Sequence, residues 1–302
     1  MSMKPFVPMS PISSDRLPQG EDWAYQLKWD GYRILASLQD GRMQLFSKKM
    51  LPQNGKFPEL TSALSRIDRS CLIDGEAIVM DPSTGKPSFQ KLQQRLKFTL
   101  AGRSRPAASE RLPVQFIAFD LLELDGRDLR RLPFRERDRM LRELAAKWEP
   151  PLFTTDLFHN GPALWEWIEQ HGWEGLVSKK LSSAYKEGKE HQDWFKKKAL
   201  LEFDVEIAGI IWKEGRVSSM VMRENGVYFG RVSSGLNEKL KSWLRSLDTV
   251  NGVNPFGALP EGLKGADVRW LVTPVNARVT GSEVTEEGSL RHPKLLNLEG
   301  AP

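Results

Sequence analysis

Gln26-Leu27-Lys28-Trp29-Asp30-Gly31-Tyr32-Arg33 is the stretch that decides the reading of this chain. It joins two segments that alternate in the manner of strands, Trp23-Ala24-Tyr25-Gln26-Leu27 and Tyr32-Arg33-Ile34-Leu35-Ala36-Ser37-Leu38. Lys28 therefore stands at the end of a strand, where its backbone is held rigidly. Its amine can attack a phosphorus atom only when deprotonated, a state that burial or neighbouring cations favour. By average residue usage, K-x-D-G-x-R arises by accident on the order of once in a few hundred chains of this length. Taken alone, it also fits an ordinary strand running into an Asp-Gly turn.

Outward from this run the strand texture continues. Gln39-Asp40-Gly41 signals a turn before Met43-Gln44-Leu45-Phe46, and Cys71 to Met80 reads as a strand carrying Asp74-Gly75-Glu76. Val114 to Leu122 is apolar enough to be a buried strand, with Phe119-Asp120 inside it. Helices are expected around Phe89 to Leu96, over Phe134 to Lys147, over Pro162 to His171 with Gly172 as its stop, and over Asn237 to Leu247 with Asn237 as cap. Residues 1–20 read as an extended lead-in, and Ala101-Gly102-Arg103-Ser104-Arg105-Pro106 as a mobile loop. After Lys198 the texture changes to short strands, Phe203 to Trp212, Val217 to Arg223 and Val227 to Val232, with further candidates near Val268 and Val275. Strands in that order, with one helix between the third and fourth, fit a small Greek-key barrel of the OB type. A domain boundary near residue 200 follows, giving domains over 1–200 and 201–302.

The bulk properties bound the function. A chain of 302 residues, 40% hydrophobic and 27% charged, is long enough for two soluble globular domains. No apolar run approaches the length that spans a bilayer. Met1-Ser2-Met3-Lys4-Pro5-Phe6-Val7-Pro8 is too broken by proline for a secretory signal, so a cytoplasmic location is expected. The single cysteine, Cys71, excludes an internal disulfide and any multi-cysteine zinc site, and reads as a buried small hydrophobe. A net charge of +5 suits a polyanionic partner. Its distribution says more, with lysines crowded from Ser178 to Lys198 and arginines from Arg127 to Arg142. Ten tryptophans is a high count, but Trp165 and Trp167 fall in a helical segment where core packing is the plain reading.

Four further runs change the odds on Lys28: Asp74-Gly75-Glu76, Phe119-Asp120, Glu174-Gly175-Leu176-Val177-Ser178-Lys179, and Trp194-Phe195-Lys196-Lys197-Lys198. With K-x-D-G-x-R they resemble the ordered motifs of the covalent nucleotidyltransferases, most closely the ATP-dependent DNA ligases. Phrases such as Leu92-Gln93-Gln94-Arg95, Phe119-Asp120-Leu121-Leu122 and Leu290-Arg291-His292-Pro293 look like the ligase module of bacterial ligase D, over essentially the whole chain. The resemblance implies an α+β protein: a nucleotidyltransferase (adenylation) domain of antiparallel sheets with flanking helices, then an OB-fold β-barrel domain. It implies that Lys28 attacks the α-phosphate of ATP, that AMP passes to a 5′-phosphate at a DNA break, and that a 3′-hydroxyl displaces it.

Residue by residue, the resemblance puts Gln26, Leu27, Arg33, Glu76, Phe119 and Lys196 at the nucleotide. Phe119 would stack on adenine and Arg33 would face phosphate. Lys196 and Lys198 alternate along a strand, so they share a face. There they would neutralise the α-phosphate and help keep Lys28 uncharged, while Lys197 is expected to be solvated. Glu174 and Glu76 are the carboxylates for Mg2+, or Mn2+ in its place, with Glu76 alternatively holding the ribose. Lys48 would meet the 5′-phosphate of DNA. Nicked or broken duplex DNA is the expected partner, with no membrane; kinship alone adds the end-binding protein Ku, and a monomer is expected.

Three positions depart from the pattern. Gln26 stands where these ligases often carry Glu; its amide oxygen can still accept from adenine N6. Ser47-Lys48 replaces Ser-Arg, losing a bidentate fork, so contact with the 5′-phosphate is expected to weaken. Relatives continue past Leu290-Arg291-His292-Pro293 to a basic motif that orients pyrophosphate. Here the sequence runs from Lys294 to Pro302, so self-adenylation is expected to be the most affected step, with Arg291 and Lys294 the candidates to stand in. Lys28 lies near the start, so DNA grip is expected from the two domains and basic loops, weakening with salt. The competing expectations are an RNA ligase, a capping guanylyltransferase, or an adenylation-defective DNA-end-binding protein. The absence of a cysteine cluster argues against an NAD-dependent ligase.

Overall fold

Near-continuous apolar strands need cover on both faces, and the first part of the chain supplies it. The computed structural model describes residues 6–100, 112–188, 190–250, 252, 254–285 and 287–302. The chain divides into two compact units, Met1–Ala199 and Leu200–Pro302.

In the first unit the strands are β1 (Ser10–Ser13), β2 (Trp23–Leu27), β3 (Tyr32–Gln39), β4 (Arg42–Ser47), β5 (Cys71–Asp81), β6 (Lys86–Pro87), β7 (Val114–Leu124), β8 (Arg127–Asp128), β9 (Leu152–Thr154), β10 (Gly175–Lys180) and β11 (Glu190–Lys198). The helices are α1 (Pro58–Leu64), α2 (Phe89–Leu100), α3 (Phe134–Ala145) and α4 (Gly161–His171). One sheet has the order β4-β3-β5-β7-β8, with β6 on β5 and β9 on β7; the other has the order β1-β11-β10-β2. Strand periodicity sorts the core. Ile34, Ala36 and Ile73 join Leu60, Leu92 and Leu141 of α1, α2 and α3 on one face of the larger sheet. Their neighbours Leu35 and Leu72 join Leu122, Tyr185 and Trp194 on the other. Helix α4 starts on Asn160, whose side chain accepts from the Ala163 N–H, and stops at Gly172 with φ 60°.

In the second unit, β12 (Leu201–Lys213), β13 (Arg216–Glu224) and β14 (Val227–Val232) precede helix α5 (Glu238–Arg245). Then come β15 (Thr249–Val250), β16 (Asp267–Gly281), β17 (Glu283–Val284), β18 (Leu290–Arg291) and β19 (Lys294–Leu298). The main sheet runs β14-β13-β12-β16-β15, with β19 also on β16. A parallel bridge between Ser234 and Lys294 links the stretch after β14 to β19, curling the sheet toward closure over Ile207, Met220, Val279 and Leu244.

Three expectations need correction. The strand candidates near Val268 and Val275 are one strand, β16. Pro274 makes the sequence look broken, but it falls in an irregularity between the Trp270↔Gly209 and Val275↔Ile207 pairs, where no ladder N–H is required of it. The fifth partner in the sheet is β19, which pairs with β16 and follows Leu290-Arg291-His292-Pro293. The lead-in over residues 1–20 contains β1, which pairs in parallel with β11 through a register shift. Helix α2 runs to Leu100, past the expected Leu96. The loop expected over Ala101 to Pro106 lies outside the described residues.

Candidate active site

Lys28 follows the last residue of β2, and its N–H donates to the Gly175 carbonyl at 2.9 Å. The next residues have structural work. Asp30 accepts the Phe89 N–H at 3.0 Å, at the start of α2. Gly31 lies so close to β5 that a Cβ there would sit 2.4 Å from the Ala77 carbonyl oxygen. Gly175, at φ +145°, passes β11 so closely that a Cβ would meet the Lys197 oxygen at 2.1 Å. Any side chain at either position would push the strands apart. These close approaches place Glu174 between two lysines: its Oε2 is 2.7 Å from Lys28 Nζ and its Oε1 is 2.9 Å from Lys198 Nζ.

Beside this bridge lies a cavity of about 230 Å³, lined from both sheets of the unit. Gln26, Leu27, Lys28, Arg33, Lys48, Glu76, Phe119 and Lys196, all expected site residues, line it together with Lys179, Trp194 and other groups. Glu174 and Lys198 are not in the lining and join the site through Lys28. The alternation of β11 holds: Trp194 and Lys196 line the cavity and Lys198 reaches Glu174. Lys197, expected to be solvated, instead lies 3.9 Å over the Trp165 ring. Among the charged lining groups, Lys28, Arg33, Lys48, Lys179 and Lys196 face only Glu76, so the cavity suits an anion.

Polar groups await a ligand here. Gln26 is 2% exposed, and neither its amide nitrogen nor the Trp194 indole N–H has a hydrogen-bond partner within the described chain. An amide beside an aromatic ring is suited to a purine edge. Phe119, on β7, has Lys179 Nζ 4.7 Å from its ring centre and the Arg33 guanidinium at 5.4 Å. Lys48 is exposed and follows Ser47, whose hydroxyl accepts the Leu51 N–H at 3.2 Å and shapes that turn.

Arg33, expected to face phosphate, has its fork on Asp74, with bonds of 2.9 and 2.6 Å, and a contact of 3.3 Å to the Tyr185 hydroxyl. Tyr185 in turn donates to Asp74 at 2.7 Å. Burial pushes Glu76 up to about 8, against the pull of Lys28 and Arg33 and helped by the Glu174 charge. Burial likewise pushes Lys179 down to about 8, although Asp120 and Asp74 favour its charge. The Lys179 ammonium donates to the Phe119 carbonyl at 2.9 Å and lies 4.5 Å from the Phe134 ring centre and 4.2 Å from that of Trp194. Lys179 and Trp194 lie within the motif runs, but nothing in the sequence alone assigns either a role. Ser10 and Pro11 of β1, also in the lining, carried no signal at all.

Comparison with known proteins follows the same lines. The family model described as ATP dependent DNA ligase domain matches residues 9–198. The multifunctional non-homologous end joining protein LigD of Mycolicibacterium smegmatis is 30% identical over 295 residues, covering 93% of this chain and 36% of that protein. The crystal structure of the ligase domain from M. tuberculosis LigD is 32% identical, with a TM-score of 0.57, covering 97% of this chain and 95% of that one. A mycobacterial DNA ligase D complexed with ATP and MES is 30% identical, with a TM-score of 0.57 and the same coverages of 97% and 95%. The chain thus spans about a third of the length of the mycobacterial LigD proteins it matches. It belongs to the ATP-dependent DNA ligase domain family. Its fold is α+β, an adenylation domain followed by an OB-type fold; the sheets of the first unit, expected to be antiparallel, are mixed, because β1 and β9 add to β11 and β7 in parallel.

Proposed function

We propose that this chain joins DNA strands at the expense of ATP, with Lys28 as the nucleophile. The observation that carries the reading is the placing of Lys28 at a cation-lined cavity that also holds an unpartnered amide and a stackable aromatic ring. The Lys28 nitrogen attacks the α-phosphorus of ATP, a P–N bond forms, and the bond to pyrophosphate breaks. A DNA 5′-phosphate oxygen then displaces the lysine, forming an adenylated end. The 3′-hydroxyl attacks that 5′-phosphorus, closing the strand and releasing AMP. Gln26 reads the adenine edge, Leu27 and Phe119 pack on the base, and Glu76 either holds the ribose or joins Glu174 at the metal. Lys196 and Lys198 offset charge on phosphate, and Lys48 meets the 5′-phosphate of DNA.

The Arg33 fork is fixed on Asp74, so its part is to hold the cavity wall and contribute positive potential. Lys28 cannot attack while Glu174 holds it. Lys198, on the other oxygen, keeps that carboxylate neutralised when Lys28 turns away. The described residues contain no group of three or more His, Cys, Asp or Glu side chains that could hold a metal ion. Glu174 and Glu76 fit a hard cation completed by phosphate oxygens, the mode Mg2+ commonly uses, and Mn2+ fits the same donors. Such an ion would supply charge neutralisation at the leaving pyrophosphate.

The two units then correspond to the adenylation domain, to Ala199, and the OB-fold domain, from Leu200. Nicked or broken duplex DNA, a repair role, partnership with Ku, a cytoplasmic site and a monomeric state complete the proposal. The names of the LigD relatives support the repair role, and no helix among the described residues is long and apolar enough to cross a membrane. The test is incubation with α-labelled ATP and Mg2+, then a chase with nicked DNA or nicked RNA. Wild type should take label and pass it to DNA, and Lys28→Ala should take none. An unlabelled wild type would sink the reading, and label passing preferentially to RNA would redirect it.

A further inference from the structure

An aromatic surface leads away from the cavity. Trp29, next to Lys28, lines the cavity and donates its indole N–H to Thr155 Oγ1 at 3.0 Å; Thr155 is buried. Trp173 meets Trp29 edge-on at 5.4 Å, and Trp167 lies 5.6 Å beyond Trp173. His171 stacks on Trp167, with ring centres 4.6 Å apart and planes 21° from parallel. The His171 Nδ1–H donates to the Trp167 carbonyl at 2.8 Å, which fixes the ring and leaves Nε2 without that partner. Both rings are exposed, Trp167 to 38%. The expectation that Trp167 is a core residue therefore fails. Helix α4 buries Leu164 and Ile168, and the helical period carries Trp167 to the edge of that stripe.

A cation borders this surface: Lys86 Nζ lies 2.9 Å from where a Cβ of Gly172 would be, next to His171, whereas Lys197 covers Trp165, about 200° around the helix from Trp167. Of the helix carboxylates, Glu166 accepts from Gln170 at 3.2 Å, and Glu169 lies about 200° around the helix from Trp167. An exposed aromatic stack beside a lysine suits a single nucleic-acid strand, because every base has a face to stack and every linkage a negative charge. Bases inside a duplex already stack on their neighbours and cannot use such a surface.

We propose that the Trp167–His171 stack is a platform for an unpaired nucleobase in a single-stranded stretch adjoining the DNA break. This rests on the strand-joining reading above, and continuity with the cavity through Trp173 and Trp29 is what ties the platform to the break.

The test compares wild type, Trp167→Ala, Trp167→Phe and Trp167→Ala/His171→Ala. Each is titrated with labelled oligothymidine, and assayed on a fully paired nick and on a break bearing unpaired thymidines. The expected result for Trp167→Ala is a roughly tenfold weaker grip on oligothymidine and a matching rise in KM on the unpaired substrate. Self-labelling and sealing of the paired nick should stay at wild-type levels, and Trp167→Phe should recover most of the loss. Equal oligothymidine affinity in wild type and Trp167→Ala would overturn the platform, as expected if this surface docks a protein instead. An equal loss on both DNA substrates would overturn it too. A wild type that binds oligothymidine through Trp167 yet takes no label would break the joining reading and leave the platform standing.

Discussion

Glu174 shares its carboxylate between Lys28 and Lys198 with side chains 15%, 22% and 40% exposed, whereas Asp120 and Arg137 meet at 0% exposure on both sides. Both clusters belong to the first unit and both are built from close charge pairs. Arg137 gives two bonds to Asp120, at 2.8 and 3.0 Å, and others to the Leu132 and Ser183 carbonyls. Water cannot replace any of these, so the cluster is locked. The Glu174 bridge is within reach of solvent and of the cavity, so its members can exchange partners at small cost. A locked pair holds shape, and an exchangeable one can take part in chemistry. The same reasoning places Arg33, whose fork on fully buried Asp74 belongs with the locked set although it borders the cavity.

This contrast can be broken in order of effect. Asp120→Ala should have the largest effect on stability, about 3–5 kcal/mol by denaturant titration, because it strands the Arg137 charge in the interior. A loss within about 1 kcal/mol would show that the pair is not locked. Glu174→Gln should cut the rate of self-labelling roughly 100-fold. Its unfolding midpoint should fall less than that of Asp120→Ala, since the bridge is only partly buried and water can replace the lost charge. A labelling rate like that of wild type would remove Glu174 from the chemistry.

Lys179→Met gives the smallest effect and one that depends on pH. Burial pushes the folded pKa of Lys179 down to about 8, below the ordinary lysine value of 10.5. Between those values the unfolded chain binds more protons than the folded one, so stability conferred by this group rises with pH across that window. Wild type should therefore gain stability relative to Lys179→Met from pH 8 to pH 10.5, in thermal melts at matched ionic strength. A difference between the two that is flat over this window would show that the Lys179 ammonium is not strained by burial.

Much of this was legible before the fold was known. Trp23–Leu27 and Val227–Val232 lie where alternation placed them, the expected cap Asn237 starts its helix with a side-chain bond, and Gly172 stops α4 as expected. Period and capping are local physics, carried by a few neighbouring residues. By contrast, Ser10–Ser13 becomes a strand only because β11 offers it an edge, and four residues carry too short a pattern to announce that. The continuity of β16 through Pro274 has the complementary reason: the missing N–H matters only where a partner strand demands it.

The amino-acid sequence by itself determined the ordered motifs around Lys28, the family they point to, and the face shared by Lys196 and Lys198, because strand geometry alternates side chains whatever the fold. Tertiary structure alone decided that the Arg33 fork goes to Asp74, that Glu174 bridges two lysines, and that Trp167 is exposed beside His171. Those outcomes depend on residues distant along the chain competing for the same charge or the same cover, and no local pattern records who wins.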